Sequence, residues 1–282
     1  METIRIGSVL FMGKKVSIII PCYNQGMYVA DAIQSALDQT YDNIEIVCVN
    51  DASTDNSREV IRKFADEHKE IIFIENSENK GVIDSRNKAI AACSGEYILP
   101  LDADNKIKPA YVEKAAKILD KNPNVGVVYC RVQRFGLKKD EWALGNMETD
   151  MLFCNCVDNC SMFRKADFME VGQYKQYMKN GLEDWDLWLG FMDKGFAFHK
   201  IDEMLLLYRT YKAESRSNQA QKNEDELFRS IVRNHPQLYL NSDACIRRIF
   251  KTDYESKYRK YKMLWILFLV ITVIELAILL LK

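Results

Sequence analysis

The sequence predicts an α/β fold in which a mostly parallel β-sheet carries helices on both faces. Over the first 130 residues, apolar runs of strand length alternate with stretches whose apolar residues recur at helical spacing. The runs are continuously apolar and rich in β-branched residues, as strands buried on both faces are. The connections between them are short, which favours parallel strands joined by helices.

The elements follow one another regularly in the first half of the chain. The predicted strands are, in order, VSIII (16–20), IEIVCV (44–49), IIFIE (71–75), YILPL (97–101) and VGVVYC (125–130). Helical spacing lies between them at 29–37, at 60–65, through residue 90 and at 109–121. The second half alternates less, but NGLEDWDLWLGFMDKGF places Trp185, Trp188 and Leu189 on one helical stripe. Glu183 and Asp184 fall in the first turn of that helix, where carboxylates suit the helix dipole.

The C-terminal residues predict a helical segment that ends in a membrane anchor. Residues 263–281 read MLWILFLVITVIELAILLL, close to the roughly 20 apolar residues that span a bilayer. The preceding residues 241–262 are basic, which predicts a juxtamembrane helix on the cytoplasmic side, drawn to anionic lipids. A buried C-terminal helix and an in-plane amphipathic helix are the alternatives. Apolar residues on every face disfavour the in-plane form.

The net charge and the cysteine content indicate which partners and which kinds of cysteine site to expect. The net charge of −1 provides no global basic field, so we expect no nucleic-acid partner. No signal peptide opens the chain, so we expect the eight cysteines to be reduced thiols. Cys154, Cys156 and Cys160 lack the paired C-x2-C spacing of a zinc site, which favours buried or loop thiols over metal ligands.

Polar residues gather where the predicted strands end. EYILPLDADNKIKP places Asp102 and Asp104 directly after a strand, with no basic residue between them. Either the two carboxylates bind a cation from solution, or they form an acidic turn without a ligand. PCYNQ, NDASTDNS and NSENKGVIDSRN follow the other strands. The carboxyl ends of parallel strands form the ligand-binding edge of such sheets. Neither G-x-G-x-x-G nor G-x4-G-K-[ST] follows the first strand, which argues against a dinucleotide fold and a P-loop.

Several of these segments resemble family-2 glycosyltransferases, which have the GT-A (Rossmann-like) fold. They are VSIIIPCYNQGMYVADAIQSALDQTYDNIEIVCVNDASTDNS, NKGVIDSRNKAIAACSGEYILPLDADN, SMFRKADFMEVGQY and LEDWDLWLGFMDKGF, which together span roughly residues 14–212. The resemblance implies an enzyme of the bacterial cell-surface glycan type. Together with the C-terminal pattern, the resemblance gives a domain plan: an N-terminal extension (1–13), a nucleotide-sugar-binding half (14–130), an acceptor-binding and catalytic half (131–240), a basic juxtamembrane helix (241–262) and a transmembrane helix (263–281).

The resemblance further implies roles for individual residues on the donor side. Pro21, Tyr23 and Asn24 belong to the segment that lines the nucleotide base, and Asp51 accepts a hydrogen bond from uracil. Arg86 lies beside the nucleotide. Lys212 stands near a position where many relatives have a histidine, and it could neutralise a phosphate. Asn50 stands where an aspartate is common, which adds no charge to the base site.

The reacting groups are implied in the same way. Asp102 and Asp104 match the DxD motif, whose second aspartate binds a divalent metal, Mg²⁺ or Mn²⁺, on the diphosphate. Asp184 matches the general base, with Glu183 beside it. One base attacking opposite the leaving group would invert the anomeric centre. Trp185 and Trp188 could contact the acceptor, although aromatic residues at helical spacing more often pack in a core.

The predicted reaction is therefore transfer of a sugar from a nucleotide diphosphate sugar, with UDP favoured, to a hydroxyl of a lipid-linked or polysaccharide acceptor. The anchor would hold the enzyme at the cytoplasmic face of the plasma (inner) membrane. Two other classes stay open: a catalytically inactive, membrane-tethered nucleotide-sugar-binding scaffold, and a DxD phosphotransferase. Lys106 and the fourth-strand position of the motif disfavour the phosphotransferase.

Overall fold

The computed structural model describes residues 13–211 and 223–242. These fall into two compact units, one that extends to His235 and one that begins at Pro236. Lys212 and residues 243–282, with nearly all of the predicted juxtamembrane helix and the whole predicted transmembrane helix, lie outside the described residues. No helix within the described ranges is both long and apolar enough to cross a bilayer. The division into two halves at residue 130 stays a prediction.

Nine strands form a single sheet in the described part of the first unit. They are β1 (Val16–Cys22), β2 (Ile44–Asn50), β3 (Ile71–Glu75), β4 (Tyr97–Pro100), β5 (Lys106–Ile107), β6 (Val125–Gly136), β7 (Glu141–Trp142), β8 (Met162–Arg164) and β9 (Ala197–Thr210). Their order across the sheet is β3-β2-β1-β4-β8-β6-β9-β5, and β7 pairs with β6. All five predicted strands are present, within one or two residues of their predicted starts and ends except for the longer β6.

Helices connect most of these strands. They are α1 (Val29–Leu37), α2 (Ser57–Glu67), α3 (Val82–Ala92), α4 (Tyr111–Lys121), α5 (Met147–Asp150), α6 (Lys165–Val171), α7 (Glu183–Asp193) and α8 (Glu224–Asn234), with a 3₁₀ turn at Gln176–Met178. In the second unit, α9 (Pro236–Leu240) is described. The helix predicted around Trp185 and Trp188 is α7, and the predicted first-turn position of Glu183 and Asp184 is confirmed.

The sheet is mixed: its longer pairings, including that of β6 with β9, are parallel as predicted, whereas its short pairings are antiparallel, which the strand–helix alternation does not predict. The four strands β3, β2, β1 and β4 are parallel, as the strand–helix alternation predicts. Beyond β4, the short strand β8 runs antiparallel to both β4 and β6, and β5 runs antiparallel to β9. β8 and β5 follow irregular loops rather than crossover helices, so nothing in their connections requires a parallel orientation.

Both faces of the parallel half are covered, as predicted. On one face, Val16, Ile18 and Ile20 of β1 share a core cluster with residues of α1 and α4. Alternate residues of a strand point to opposite faces, and α3 packs on β1 and β2 across the sheet from that cluster. Further along the chain, Phe163 of β8 lies 5.3 Å from Phe168 and 6.0 Å from Trp188, ring centre to ring centre. These contacts anchor α6 and α7 on the sheet.

Glu45 ties the strands together at the end of the sheet opposite the polar loops. Its carboxylate accepts hydrogen bonds from Ser17 Oγ at 2.6 Å and from Ser94 Oγ at 2.7 Å, and it pairs with Lys15 at 2.9 Å. Burial alone would raise the pKa of Glu45, but these donors lower it to about 2. A Cβ at Gly95 would lie 2.3 Å from Ser17 Oγ, so only glycine permits this close approach.

Candidate active site

The loops that follow β1 and β2 are clamped together. Asn24 donates its backbone N–H to Ser53 Oγ at 3.0 Å, and its side-chain oxygen accepts the N–H of Thr54 at 2.8 Å. Asn24 and Ala52 have φ values of 52° and 55°, in the left-handed region that residues other than glycine seldom occupy. Such backbone strain concentrates at functional sites, because surrounding contacts must hold it in place.

The predicted base-lining residues differ in exposure. Pro21 is buried inside β1, where it pairs in register with Val49. Tyr23, the first residue beyond that strand, is 45% exposed, so part of the residue is accessible to a ligand. The two residues therefore lie at the predicted edge of the sheet, and their contact with a nucleotide base stays a prediction.

Asp51 is buried and anchors the loop after β3 by hydrogen bonds. Its carboxylate accepts hydrogen bonds from Asn76 Nδ2 at 2.7 Å, from the Lys80 N–H at 3.0 Å and from the Gly81 N–H at 2.8 Å. Its exposed fraction is 2%. The structure thus gives Asp51 an internal role in shaping the loop before α3, and its predicted hydrogen bond with uracil stays untested.

Arg86 lies at the centre of the site. Its guanidinium donates through Nη2 to Asp102 Oδ1 and through Nη1 to Glu183 Oε1, both at 2.7 Å. Its Cζ lies 5.4 Å from the ring centre of Tyr174. Arg86 is 4% exposed, and its Nε is buried without a hydrogen-bond partner among the described residues. Burial opposes the change, but the two carboxylates raise the pKa of Arg86, so the side chain stays charged.

Asp102 and Asp104 occupy a tight turn directly after β4. The turn is closed by a hydrogen bond from the Asn105 N–H to the Asp102 carbonyl, at 3.0 Å. Asp104 Oδ2 accepts a hydrogen bond from the Tyr211 hydroxyl at 2.9 Å. Arg209 donates to the backbone carbonyl of Asp104, so this guanidinium does not neutralise the carboxylate through a hydrogen bond. Burial and the charge of Asp102 raise the pKa of Asp104 to about 6.

This pair fits a hard divalent cation. It offers carboxylate oxygens, the ligands that Mg²⁺ and Mn²⁺ prefer over nitrogen or sulfur. No three His, Cys, Asp or Glu side chains converge as a complete metal site within residues 13–211 and 223–242. An ion held by Asp104 and Asp102 would therefore complete its coordination with substrate oxygens and water.

Glu183 and Asp184 begin α7, directly after Leu182, which has a φ of 60°. The carboxylate of Glu183 accepts its hydrogen bond from Arg86. Asp184 is half-buried, and its two carboxylate oxygens accept hydrogen bonds from the Trp185 N–H at 2.8 Å and from Asn155 Nδ2 at 2.9 Å. Burial and the neighbouring charge of Glu183 raise the pKa of Asp184 to about 6. A carboxylate with such a pKa is suited to accept a proton near neutral pH.

A further aspartate, Asp158, belongs to the same cluster and escaped the sequence analysis. Burial and the charges of Asp102 and Asp184 raise the pKa of Asp158 to about 7, and Arg86 lowers it, so its side chain lies within interaction range of all three. A single aspartate in CVDNCS carries no periodicity and no recognised spacing. Only the folded chain brings this residue to the site.

The two tryptophans pack in the core. Trp188 has no exposed surface, its Nε1 donates to the carbonyl of Val157 at 3.0 Å, and its ring packs against Phe163. Trp185 is 4% exposed, and its Nε1 donates to the carbonyl of Met151 at 2.7 Å. The prediction that these rings contact an acceptor is corrected to a packing role, because their surface and their only polar atoms are already used.

His235 fixes α7 from its other side. At the end of α8, its Nε2 lies 3.3 Å from Asp186 Oδ1 and its Nδ1 bonds to Asp193. Although burial opposes it, these two carboxylates raise the pKa of His235. Asp186 and Asp193 are on α7, so this buried ion pair stabilises the helix that carries Glu183 and Asp184.

The three clustered cysteines are free thiols. Cys154 is exposed, and its sulfur lies 3.6 Å from that of buried Cys156. Cys160 is buried, and its carbonyl accepts the Tyr111 hydroxyl at 2.7 Å. Cys156 and Cys160 are therefore buried and Cys154 is exposed, and the absence of a metal at these cysteines stays a prediction.

Comparison with known proteins agrees with this geometry. The family model described as "Glycosyl transferase family 2" matches residues 17–185, more than half of the chain. A relative from Bacillus subtilis, TuaG, is provisionally named a teichuronic acid biosynthesis glycosyltransferase. It is 29% identical over 228 residues, which cover 78% of this chain and 89% of TuaG.

Two solved structures share the fold. S. aureus TarS (residues 1–349) in complex with UDP-GlcNAc has a TM-score of 0.68 at 18% identity, covering 84% of this chain and 73% of that one. The mannosyltransferase PcManGT from Pyrobaculum calidifontis, in complex with GDP-Man and Mn²⁺, has a TM-score of 0.61 at 20% identity, covering 82% and 71%. Both likenesses extend well beyond the parallel half of the sheet.

Proposed function

The chain belongs to glycosyl transferase family 2 and has the GT-A fold, and from this premise we propose that it is an inverting, UDP-sugar-dependent enzyme. It is a glycosyltransferase, similar to relatives of the bacterial cell-surface glycan type. The proposed reaction moves the sugar to a hydroxyl of a lipid-linked or polysaccharide acceptor.

One observation supports this reaction above all others. Arg86 is hydrogen-bonded to Asp102 of the donor-side turn and to Glu183 at the start of α7, so a single buried cation joins the two. Asp184, next to Glu183, therefore lies in the same cluster as the DxD aspartates. Sugar transfer requires a group that binds the diphosphate and a base that activates the acceptor, in one place.

The chain's own residues account for the base chemistry. With a pKa of about 6, Asp184 is mostly ionised at pH 7 and can accept the proton of an acceptor hydroxyl as that oxygen attacks the anomeric carbon. Asn155 and the Trp185 N–H hold its two oxygens and so fix its orientation. Arg86 holds Glu183 away from that task by pairing with it. Attack opposite the departing diphosphate inverts the anomeric configuration.

The donor side is proposed to hold a divalent cation together with the nucleotide. Asp104 and Asp102 would hold Mg²⁺ or Mn²⁺, which supplies Lewis-acid stabilisation of the leaving diphosphate. The Mn²⁺ complex of PcManGT supports this assignment by analogy of fold. The UDP and UDP-GlcNAc complexes of TarS support a UDP-sugar as donor. Tyr23, Pro21, Asn24 and Asp51 are proposed to form the base and ribose site, and Lys212 to contact a phosphate.

The proposed acceptor follows from the C-terminal segment. Residues 263–281 would place the active site at the cytoplasmic face of the plasma (inner) membrane, within reach of a lipid-linked glycan. This location is a proposal drawn from the sequence alone. The provisional teichuronic acid assignment of TuaG supports a cell-surface glycan as the product.

The decisive experiment is calorimetric titration of the full-length protein with UDP, GDP and dTDP, with and without Mn²⁺, followed by turnover of the corresponding sugars. Tight UDP binding that requires Mn²⁺, with release of UDP from a UDP-sugar, would support the proposal. UDP-sugar binding without hydrolysis or transfer would instead favour the inactive scaffold. Failure of the folded protein to bind any nucleotide would refute the proposed donor chemistry.

A further inference from the structure

Asp158 and Asn159 lie in the loop between Asn155 and Cys160, which is fixed to the active site at both ends. At one end, Asn155 Nδ2 holds Asp184 Oδ2 at 2.9 Å. At the other, Asn159 Oδ1 accepts the Tyr174 hydroxyl at 2.8 Å, and the ring of Tyr174 contacts Arg86. The loop therefore runs from the predicted base to the arginine that holds Asp102.

The backbone of this loop is held in place by side chains of α4 and α7 and by Ser161, the residue that follows the loop. Trp188 Nε1 donates to the carbonyl of Val157 at 3.0 Å, and the Tyr111 hydroxyl donates to the carbonyl of Cys160 at 2.7 Å. Ser161 Oγ donates to the carbonyl of Asp158 at 2.6 Å. These hydrogen bonds hold the backbone on both sides of Asp158, so the side chain of Asp158 extends from a well-fixed backbone.

Two polar atoms of the loop are left without protein partners. Asp158 Oδ1 accepts the Cys160 N–H at 2.8 Å, whereas no hydrogen bond reaches its Oδ2 from any described residue. Asn159 is 5% exposed, and its Nδ2 is buried with no partner in the described ranges. An unsatisfied buried donor is costly, and the neighbouring residue offers a free carboxylate oxygen, so this stretch of the loop points to a ligand that is both donor and acceptor.

A sugar hydroxyl is such a group, because its O–H donates and its oxygen accepts. We propose that Asp158, with Asn159 beside it, binds a hydroxyl of the reacting sugars and thereby selects which sugar is aligned with Asp184. The inference rests on the proposed transferase function and extends it. The hydroxyl belongs either to the donor sugar or to the acceptor, since Asp158 lies within range of both Asp102 and Asp184.

The substitution Asp158→Asn tests this role with little disturbance, because an amide oxygen can still accept the Cys160 N–H. Asp158→Ala is the second variant, and Asp167→Asn is a matched control at a half-buried aspartate paired with Arg164 outside the site. All proteins are full-length, and their thermal midpoints are compared first. The probes are UDP, UDP-GlcNAc and UDP-glucose in titrations with Mn²⁺, then water and p-nitrophenyl glycosides as acceptors in turnover.

We expect Asp158→Asn to leave UDP affinity within about twofold and to weaken one sugar-dependent step by about 10- to 100-fold, the value of a hydrogen bond to a charged group. Weaker UDP-sugar binding assigns the hydroxyl to the donor. Unchanged UDP-sugar binding and hydrolysis with a lower kcat/KM for glycosides assigns it to the acceptor. Effects within twofold everywhere, or an equal loss of UDP affinity, overturn the inference.

A failure of the proposed function would look different. In that case the wild-type protein itself would neither hydrolyse nor transfer sugar from any donor. Titrations of the wild-type protein and Asp158→Asn with UDP-sugars, and with p-nitrophenyl glycosides in the presence of UDP and Mn²⁺, would still decide the inference. Equal affinities for both classes of ligand would overturn it, and a loss specific to UDP-sugars over UDP would uphold a contact with the donor sugar.

Discussion

Arg86 and Glu183 lie 97 positions apart in the chain and form a 2.7 Å hydrogen bond with exposed side-chain fractions of only 4% and 8%. Arg86 is on α3 and Glu183 begins α7, so this ion pair joins the two parts of the chain that carry the donor-side and catalytic residues. A buried charge is tolerated only when it is paired. The position of Asp184 relative to the DxD turn therefore depends on Arg86.

The first prediction concerns this arginine. Arg86→Met removes the cation that Asp102 and buried Glu183 share, so the free energy of unfolding at pH 7 should fall by about 3–5 kcal/mol. Activity should be lost as well, because Asp102 and Glu183 then repel each other. Urea unfolding measures the loss of stability. A loss below about 1 kcal/mol would show that the pair contributes little.

The control is the double variant Arg86→Met with Glu183→Gln. It also removes the buried charge of Glu183, so it should recover part of the lost stability without recovering activity. A double variant less stable than Arg86→Met alone would contradict this account.

Much of the fold could be predicted from the sequence, because each strand and helix of its parallel half has a clear hydrophobic pattern of its own. Continuous apolar runs such as VSIII and IEIVCV mark strands buried on both faces, and each is followed by helical spacing. The mixed half could not be predicted in this way. β8 is three residues long and β5 only two, too short to show a period, and their antiparallel pairing is set by tertiary contacts.

The candidate active site, like the fold, could be predicted only in part. The positions of Asp102, Asp104 and Asp184 follow from motifs at the ends of predicted elements. The pairing of Arg86 with Glu183, the bond from Tyr211 to Asp104 and the place of Asp158 depend on which distant residues meet in the folded chain. Trp188 was misjudged because a helical stripe of aromatic residues looks the same in a core and in a binding groove.

The second prediction concerns stability and pH at Glu45. Its pKa in the folded protein is about 2, below its usual value near 4.5, so its contribution is present above pH 4.5 and is lost as the pH falls toward 2. Glu45→Gln should therefore reduce the free energy of unfolding at pH 7 by about 3 kcal/mol, with a smaller difference at pH 3. Urea unfolding across this range tests it.

The matched control for Glu45 is Glu96→Gln, which removes an exposed carboxylate only 4.0 Å from Lys14. Exposed pairs contribute little, so stability should change by less than about 0.5 kcal/mol at any pH. If the two variants behave alike, the hydrogen bonds from Ser17 and Ser94 do not stabilise the charged form of Glu45.

The third prediction concerns the metal. Asp104→Asn keeps an acceptor for the Tyr211 hydroxyl and removes the charge, so the gain in UDP affinity that Mn²⁺ provides should fall at least about tenfold, while metal-free binding changes little. Asp31→Asn is the control, since Asp31 is an exposed carboxylate that pairs with Arg209. Titration of UDP with and without Mn²⁺ measures both. An unchanged metal effect in Asp104→Asn would exclude this residue as a ligand.

The last prediction concerns the base. Asp184→Asn should lower kcat by about 10²–10⁴-fold and leave UDP affinity unchanged, because a base acts on the acceptor proton and not on the nucleotide. In the wild-type enzyme, kcat/KM should fall below about pH 6 as Asp184 takes up a proton. Asn155→Ala removes a donor that favours the ionised form, so its acid limb should move to higher pH. Steady-state rates between pH 5 and 8 test all three. An acid limb that persists at the same pH in Asp184→Asn would assign the base to another residue, and an unmoved limb in Asn155→Ala would show that this hydrogen bond does not tune it.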